Sequence, residues 1–354
     1  MSVGGCRIGV LGLDQWYSAQ LFLPAFASEP RIEIAGIAHR DLGRAQQVAS
    51  QLGVGRVVAE PAELIDDPSI DAVVTFTSTD LNPGLCIAAA EAGKHVLAIK
   101  PIARTLEEAT AVLRAVRSAG ISLLTMEATG PGGRRGPVEM VRRLVSEGRV
   151  GEVAFARCSI SAALPQSWPD DPAPGWFVDP VRCAGGGWID HAIYEIDRLR
   201  WVLGREVETV SGQIATARHP NLKVEDWGAA LARFEGGVLA ELRNDWFMPS
   251  IGLFQSEWEI TGSKGVVRVD DVACRVRFAE TPPMDGSLDH WTDLPIPPNY
   301  GMRTVAAHVA DVVMGQAAPL GSVEDAWKNL AVAVAFYEAA RTGVAVRVKE
   351  VPRP

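Results

Sequence analysis

The sequence has no Cys-x-x-Cys pair, no His-Glu-x-x-His, no Gly-x-Ser-x-Gly turn and no apolar run of bilayer length. Its five cysteines, Cys6, Cys86, Cys158, Cys183 and Cys274, are odd in number and scattered, so neither a disulfide framework nor a zinc site is indicated. They read as thiols of a reducing cytosol. The lack of a nucleophile turn and of paired ligand histidines argues against a serine hydrolase and a metalloenzyme. Basic blocks are missing too: 34 Lys and Arg stand against 43 Asp and Glu, a net charge of −9. That balance speaks against a nucleic-acid or anionic-membrane partner. Apolar stretches such as Leu330–Tyr337 are too short to cross a bilayer. A strand-like segment begins almost at the N-terminus, at Arg7-Ile8-Gly9-Val10-Leu11, which leaves no room for a signal peptide and predicts a cytoplasmic protein.

What is present is ordered alternation. A chain of 354 residues suggests two domains at about 150 residues each. From residue 6 to about 125, short Val/Ile/Leu-rich runs (Cys6–Leu13, Arg31–Ala38, Asp71–Thr77, His95–Ile99, Ile121–Met126) alternate with helical spacing at Leu42–Leu52, Pro83–Ala92 and Thr105–Ala119. This predicts a doubly wound parallel sheet that binds its ligand at the carboxyl ends of the strands. Gly130 to Pro137 reads as a loop, whose Arg134 and Arg135 either meet a phosphate or, the favoured reading, belong to a solvated linker. Beyond a helix at Val138–Glu147, longer alternating strands joined by glycine turns predict a mostly antiparallel sheet: Glu152–Ser161, Glu208–Thr216, Trp227–Phe234, Val238–Asp245, Glu257–Thr261 and Val266–Val269. Helices near Thr304–Met314 and Val323–Thr342 and a strand at Val344–Val348 close the chain. The expected architecture is a Rossmann domain over residues 1–125 and an α+β open-sheet domain over 126–354, with the last helix and strand packing back on the first domain.

Two glycine-bearing helix starts carry the chemistry. The first strand runs into Gly12-Leu13-Asp14-Gln15-Trp16-Tyr17, where a dinucleotide fold places Gly-x-Gly-x-x-Gly. Only Gly12 is kept. Asp14 stands where the second glycine admits the pyrophosphate, so its side chain must turn away or the loop must be reshaped. The second strand ends His39-Arg40-Asp41. A basic pair there favours the 2′-phosphate of NADP(H), while Asp41 keeps NAD(H) open and can also cap the next helix. Farther on comes Gly185-Gly186-Gly187-Trp188-Ile189-Asp190-His191-Ala192-Ile193-Tyr194. Three glycines let a backbone pass close to something, and Asp190 and Tyr194, four apart, share a helix face. A carboxylate and a phenol so placed form a candidate proton-transfer pair. His191 lies about 100° round the helix, a packed histidine or a substrate contact. Trp176, just upstream, either lines a pocket or fills core.

These segments, in this order, resemble the family of glucose–fructose oxidoreductase, inositol dehydrogenase and rhizopine-catabolism proteins. The run Ala92-Gly93-Lys94-His95-Val96 followed by Ile99-Lys100-Pro101 is similar to the family's Ala-Gly-Lys-His-Val and Glu-Lys-Pro, with Ile99 in place of the glutamate. Gly185 to Trp201 resembles its Gly-rich segment, its Asp-x-x-x-His pair and the Ile-Asp-x-x-Arg-Trp after it. Tyr194 in the histidine position resembles the glucose–fructose oxidoreductase and dihydrodiol dehydrogenase branch. The resemblance implies Lys100, Asp190 and Tyr194 as the catalytic set. It implies dinucleotide contacts from Gly12, Asp14, Gln15, Trp16, His39, Arg40, Thr77, Ser78, Asn82, Lys100 and Pro101, and substrate contacts from Lys100, Trp176, Asp190, His191 and Tyr194.

A free tyrosine titrates near 10; a lysine ammonium beside it lowers that value, so Lys100 is expected to make Tyr194 a usable acid–base group. Asp190, whose charge opposes the phenolate, is assigned an orienting role. The expected activity is hydride transfer between a nicotinamide cofactor, NADP(H) in preference to NAD(H), and a secondary alcohol or ketone of a sugar, cyclitol or similar polyol. Two further readings stay open. One is transient oxidation with a retained cofactor, for glycoside cleavage or epimerisation. The other is a catalytically silent dinucleotide or sugar sensor, favoured by Asp14, Tyr17 and Ile99. An exposed apolar sheet face is expected to pair chains into a homodimer or homotetramer.

Overall fold

The computed structural model describes residues 5–130, 133–280, 291–296 and 301–352. Apart from the short, half-buried run Val57–Val58, the Val/Ile/Leu runs of the first third are largely buried on both faces, as parallel strands between helical layers require. They are β1 (Cys6–Leu11), β2 (Ile32–Ala38), β3 (Val57–Val58), β4 (Ala72–Thr75), β5 (His95–Ala98) and β6 (Leu123–Thr125), in the order β3-β2-β1-β4-β5-β6. The helices between them are α1 (Trp16–Ser28), α2 (Leu42–Leu52), α3 (Ala62–Ile65), α4 (Asn82–Glu91) and α5 (Leu106–Ala119). The order reverses between β1 and β4, so their carboxyl ends open the crevice where such sheets take ligands.

After α6 (Met126–Thr129) and α7 (Pro137–Ser146) the chain enters the second sheet with β7 (Val153–Ala163). The long helix α8 (Gly187–Leu203) comes next, then β8 (Val207–Ala215), β9 (Trp227–Phe234), β10 (Leu239–Met248), β11 (Gln255–Gly262), β12 (Gly265–Asp270), β13 (Arg275–Glu280) and β14 (Thr292–Leu294). Helices α9 (Met302–Val313) and α10 (Val323–Thr342) and the short β15 (Val346–Arg347) complete it. The described strands run β14-β13-β12-β11-β7-β10-β9-β8-β15, antiparallel except for the β7–β10 pair. β13 alternates Arg, Val, Arg, Phe, a period of two that sequence inspection passed over.

Several expectations are corrected. β15 pairs with β8 of the second sheet rather than joining the first domain, whereas α10 does touch α5, where the Trp327 indole donates to Thr110 Oγ1 at 2.9 Å. Arg134 is not in a solvated linker. It is buried and forks onto Asp197 at 2.9 and 2.6 Å, with Asp325 at 3.1 Å, because the loop is pinned between α8 and α10. Pro131 and Gly132 of that loop lie outside the described residues. The open sheet face is not apolar over most of its width: Arg157, Glu241, Glu257, Glu259, Arg268 and Arg277 line it. Outward positions of these alternating strands carry charges, and exposed apolar side chains there, Ile214 and Leu231, are confined to β8 and β9.

Candidate active site

The three glycines before α8 pass close to the chain itself. A Cβ on Gly185 would lie 2.1 Å from the Tyr337 hydroxyl, one on Gly186 2.0 Å from the Glu225 carbonyl, and one on Gly187 2.7 Å from the Asp226 carbonyl. The Glu225 carboxylate accepts from the amides of Gly186 (2.9 Å) and Trp188 (3.3 Å) and from Tyr337 Oη (2.6 Å). A carboxylate thus supplies from β9's approach the cap that the helix start lacks locally. The clasp fixes α8 so that its first turns face the end of β5.

There Lys100 meets Asp190. Lys100 Nζ donates to Asp190 Oδ1 at 2.7 Å and also to the Asp190 carbonyl, and it sits 5.0 Å from the centre of the Tyr194 ring. Asp190 Oδ2 accepts from the Trp246 indole at 3.1 Å, a contact that sequence inspection missed. Burial opposes the charge on both partners, yet each is held ionised by the other: Lys100 is raised and Asp190 falls well below the usual carboxylate range. Tyr194 departs from expectation. Burial raises its phenol above the ordinary value; Lys100 pulls it down, but Asp190 and Glu127 add to the rise. The isolated phenol therefore keeps its proton at neutral pH.

His191 belongs to the same cavity as Lys100, Asp190 and Tyr194, despite its angular offset on the helix. Burial lowers it to about 4, so it is neutral, and its Nδ1 has no hydrogen-bond partner among the described residues. Its ring centre lies 5.5 Å from that of Phe254. Trp176 is buried, stacked on Phe177, and its indole donates to the Asp14 carbonyl at 3.2 Å. It braces the first glycine turn and borders a small recess beside Lys100 and Pro101 instead of lining the main cavity.

At the switch point Gly12 has φ +79°, and a Cβ there would lie 2.4 Å from Thr77 Cγ2. Around it, Gln15 Oε1 and Thr77 Oγ1 are buried without a hydrogen-bond partner among the described residues, just past the ends of β1 and β4. Buried polar atoms are rarely left so, and two of them converging at this crevice fit a polar ligand that completes them. Asp14 does turn away: its buried carboxylate takes Arg40 Nη2 at 2.5 Å, which relieves the repulsion expected of it.

Other residues predicted to meet the cofactor are buried or already have partners within the chain. His39 is buried and burial lowers it, so it adds no second cation beside Arg40. Trp16 donates to the Gln166 carbonyl at 2.8 Å, tying the turn to the second domain. Ser78 Oγ accepts from Arg182 at 2.8 Å. Asn82 is buried, accepts from Thr75 Oγ1 (2.7 Å) and donates to the carbonyls of Ile99 (3.3 Å) and Ile102 (2.9 Å). It clamps both flanks of Lys100–Pro101, a positioning task with no free polar group for a cofactor. Asp41 caps α2, accepting from the Arg44 amide at 3.0 Å.

Comparison with known proteins gives the same outline. The family described as oxidoreductase family, NAD-binding Rossmann fold, matches residues 6–126, and the GFO/IDH/MocA C-terminal domain matches residues 138–268. The 1,5-anhydro-D-fructose reductase of Ensifer adhaerens is 27% identical, over 90% of this chain and 91% of its own. The scyllo-inositol 2-dehydrogenase (NAD(+)) of Bacillus subtilis is 26% identical, over 97% and 96%. A structure of levoglucosan dehydrogenase in complex with NADH and levoglucosan superposes with a TM-score of 0.85 at 21% identity, covering 98% of this chain and all of that one, a likeness of fold.

Proposed function

The chain belongs to the GFO/IDH/MocA oxidoreductase family, and from that premise we propose that it interconverts a secondary alcohol and a ketone on a sugar, cyclitol or similar polyol, with Tyr194 as the proton-transfer group. The observation that carries this is the Lys100–Asp190 ion pair at 2.7 Å with the Tyr194 ring 5.0 Å from the ammonium, all three on one cavity.

When bound, a nicotinamide dinucleotide supplies the hydride acceptor or donor, and its oxidised ring adds a positive charge that lowers nearby acids. Gly12, Gln15 and Thr77 would hold it at the switch point, with Arg40 at the adenosine end. In the reductive direction Tyr194 keeps its proton until negative charge builds on the substrate oxygen, then donates it. Lys100 stabilises that developing charge, and Asp190, itself held by Trp246, keeps Lys100 in place. Neutral His191 can donate to or accept from a substrate hydroxyl. Arg40 favours the 2′-phosphate of NADP(H). Because Asp14 already takes part of that charge, the preference over NAD(H) is small.

The test is titration with NADPH and with NADH by cofactor fluorescence, followed by turnover on a polyol and ketosugar panel. Binding of both, with NADPH several-fold tighter, and turnover of at least one polyol are expected. Binding without any turnover would favour a sensor. We also read the chain as a homodimer or homotetramer, and a monomer in sedimentation would overturn that.

A further inference from the structure

The cavity bearing Lys100, Asp190, His191 and Tyr194 has a volume of about 570 Å³, and large apolar side chains stand exposed on its lining. Inside, the charged and polar groups of the reaction site sit among buried apolar side chains such as Phe22, Ile160 and Phe177. Around the mouth stand Leu21 from α1, Ile251, Leu253 and Phe254 from the segment between β10 and β11, and Val272 from the β12–β13 turn. These side chains are 47, 38, 49, 42 and 59% exposed. They make up five of the eleven large apolar side chains left exposed among the described residues. Exposed apolar residues scattered singly are ordinary, whereas a contiguous group from three separate elements marks a binding surface. A site for a free polyol alone has no use for such a rim, since hydroxyl groups would leave it wet.

We propose that this rim is a subsite for an apolar substituent, so that the substrate is a polyhydroxylated ring bearing an aryl or alkyl group, as in a glycoside with an apolar aglycone. The proposal rests on the reading of the inner cavity as a polyol site. The Phe254–His191 ring contact makes the apolar surface continuous with the reaction site, so one molecule can span both. The charged groups between them do not interrupt it: Asp271 takes Arg198 at 2.9 Å and Ser256 Oγ at 2.6 Å. The five side chains also line the cavity interior around its opening, which suits a substituent entering with its ring better than the flat face of a second copy.

The experiment compares methyl and phenyl β-glycosides of glucose, galactose and xylose. Binding in the presence of NADH is read by tryptophan fluorescence and calorimetry, and turnover is read with NAD+ and NADP+. For each sugar that binds, the phenyl glycoside should bind about tenfold or more tighter than the methyl one, the scale of one well-buried apolar group. The Ile251→Ser/Leu253→Ser double variant should erase most of that ratio, weakening the phenyl glycoside far more than the methyl. Equal affinities, or a phenyl preference that survives the double variant, would overturn the subsite. A change in oligomeric state of that variant on sedimentation would overturn it too, by making the rim a subunit contact. Turnover of methyl glycosides without a phenyl advantage removes this proposal alone; binding of no glycoside removes it as well, while the polyol reading falls only if the polyol and ketosugar panel also fails.

Discussion

Two glycine-bearing turns lead into helices in this molecule, and they differ in what the missing side chains make room for. At Gly185–Gly187 three glycines admit the Tyr337 hydroxyl and the carbonyls of Glu225 and Asp226, all parts of the same chain. At Gly12 a single glycine with φ +79° lies against Thr77, beside buried polar atoms of Gln15 and Thr77 that nothing among the described residues satisfies. The glycine-rich turn is closed upon itself and the glycine-poor one is left incomplete. Close approach is therefore a geometric need that says nothing of the ligand, whereas unsatisfied polar atoms do point to one.

The sharpest way to separate the two turns is to alter the helix that the closed one begins. Tyr194→Phe removes the phenol that α8 presents and leaves the β1–β4 crevice untouched. A fall in kcat of about 10²–10⁴-fold is expected, the usual range for a lost proton-transfer group, with dinucleotide affinity within twofold. Stopped-flow turnover and cofactor titration read the two quantities separately. Unchanged turnover would remove Tyr194 from the chemistry. The pH profile sharpens this. Because the Tyr194 value is raised, the donating form persists through neutral pH, so the reductive rate should stay level and fall only in strong alkali. The Phe variant should lose that alkaline limb.

How much of this was legible obeys the same division between local and distant partners. Asp190 and Tyr194 share a face because helical spacing says so, and the buried parallel strands announce themselves by composition. Lys100 came through its Lys-Pro resemblance. What stayed hidden are partners separated by long stretches of chain: Trp246 on Asp190, 56 residues away, and Glu225 capping α8 from 39 residues away. Alternation tells which side of β10 faces inward but not that its indole meets a carboxylate. His39, Trp16 and Asn82 do lie near the crevice, as their places in the chain suggest, yet tertiary hydrogen bonds and burial already engage them. Nor does spacing reveal that burial outweighs Lys100 at Tyr194, since desolvation depends on everything packed around the ring.

The next largest effect should come from Gly186→Ala. Its Cβ would meet a backbone carbonyl at 2.0 Å, and backbone cannot swing aside as a side chain can. Overpacking costs roughly 1–3 kcal/mol, and this position belongs at the upper end. A lowered urea midpoint is expected, with cofactor affinity of the remaining folded protein unchanged. Gly12→Ala should show the opposite balance. The clash is with a side-chain methyl, and the positive φ adds strain of about 1–2 kcal/mol. Since Thr77 must move to admit it, dinucleotide Kd should rise about tenfold, the equivalent of about 1.4 kcal/mol. If both variants lost stability and kept affinity, the distinction between the turns would collapse.

The smallest effect tests the ion pair that replaces the second glycine. Asp14 is buried and Arg40 is well exposed, so solvent screens the guanidinium and the pair is worth little to folding. Its consequence lies in what Arg40 is free to do. Asp14→Asn keeps the shape of the turn, retains a hydrogen-bond acceptor for Arg40 and removes the competing charge. Arg40 can then give its full charge to a 2′-phosphate, while NADH, lacking that phosphate, gains no such contact. The NADPH-to-NADH affinity ratio should rise about three- to tenfold at low salt and shrink at high salt, as expected for a surface charge effect. Fluorescence titration at two ionic strengths reads both trends. An equal gain for the two cofactors would mean that Asp14 repels the shared pyrophosphate, so that its pairing with Arg40 leaves the conflict at the carboxylate unrelieved.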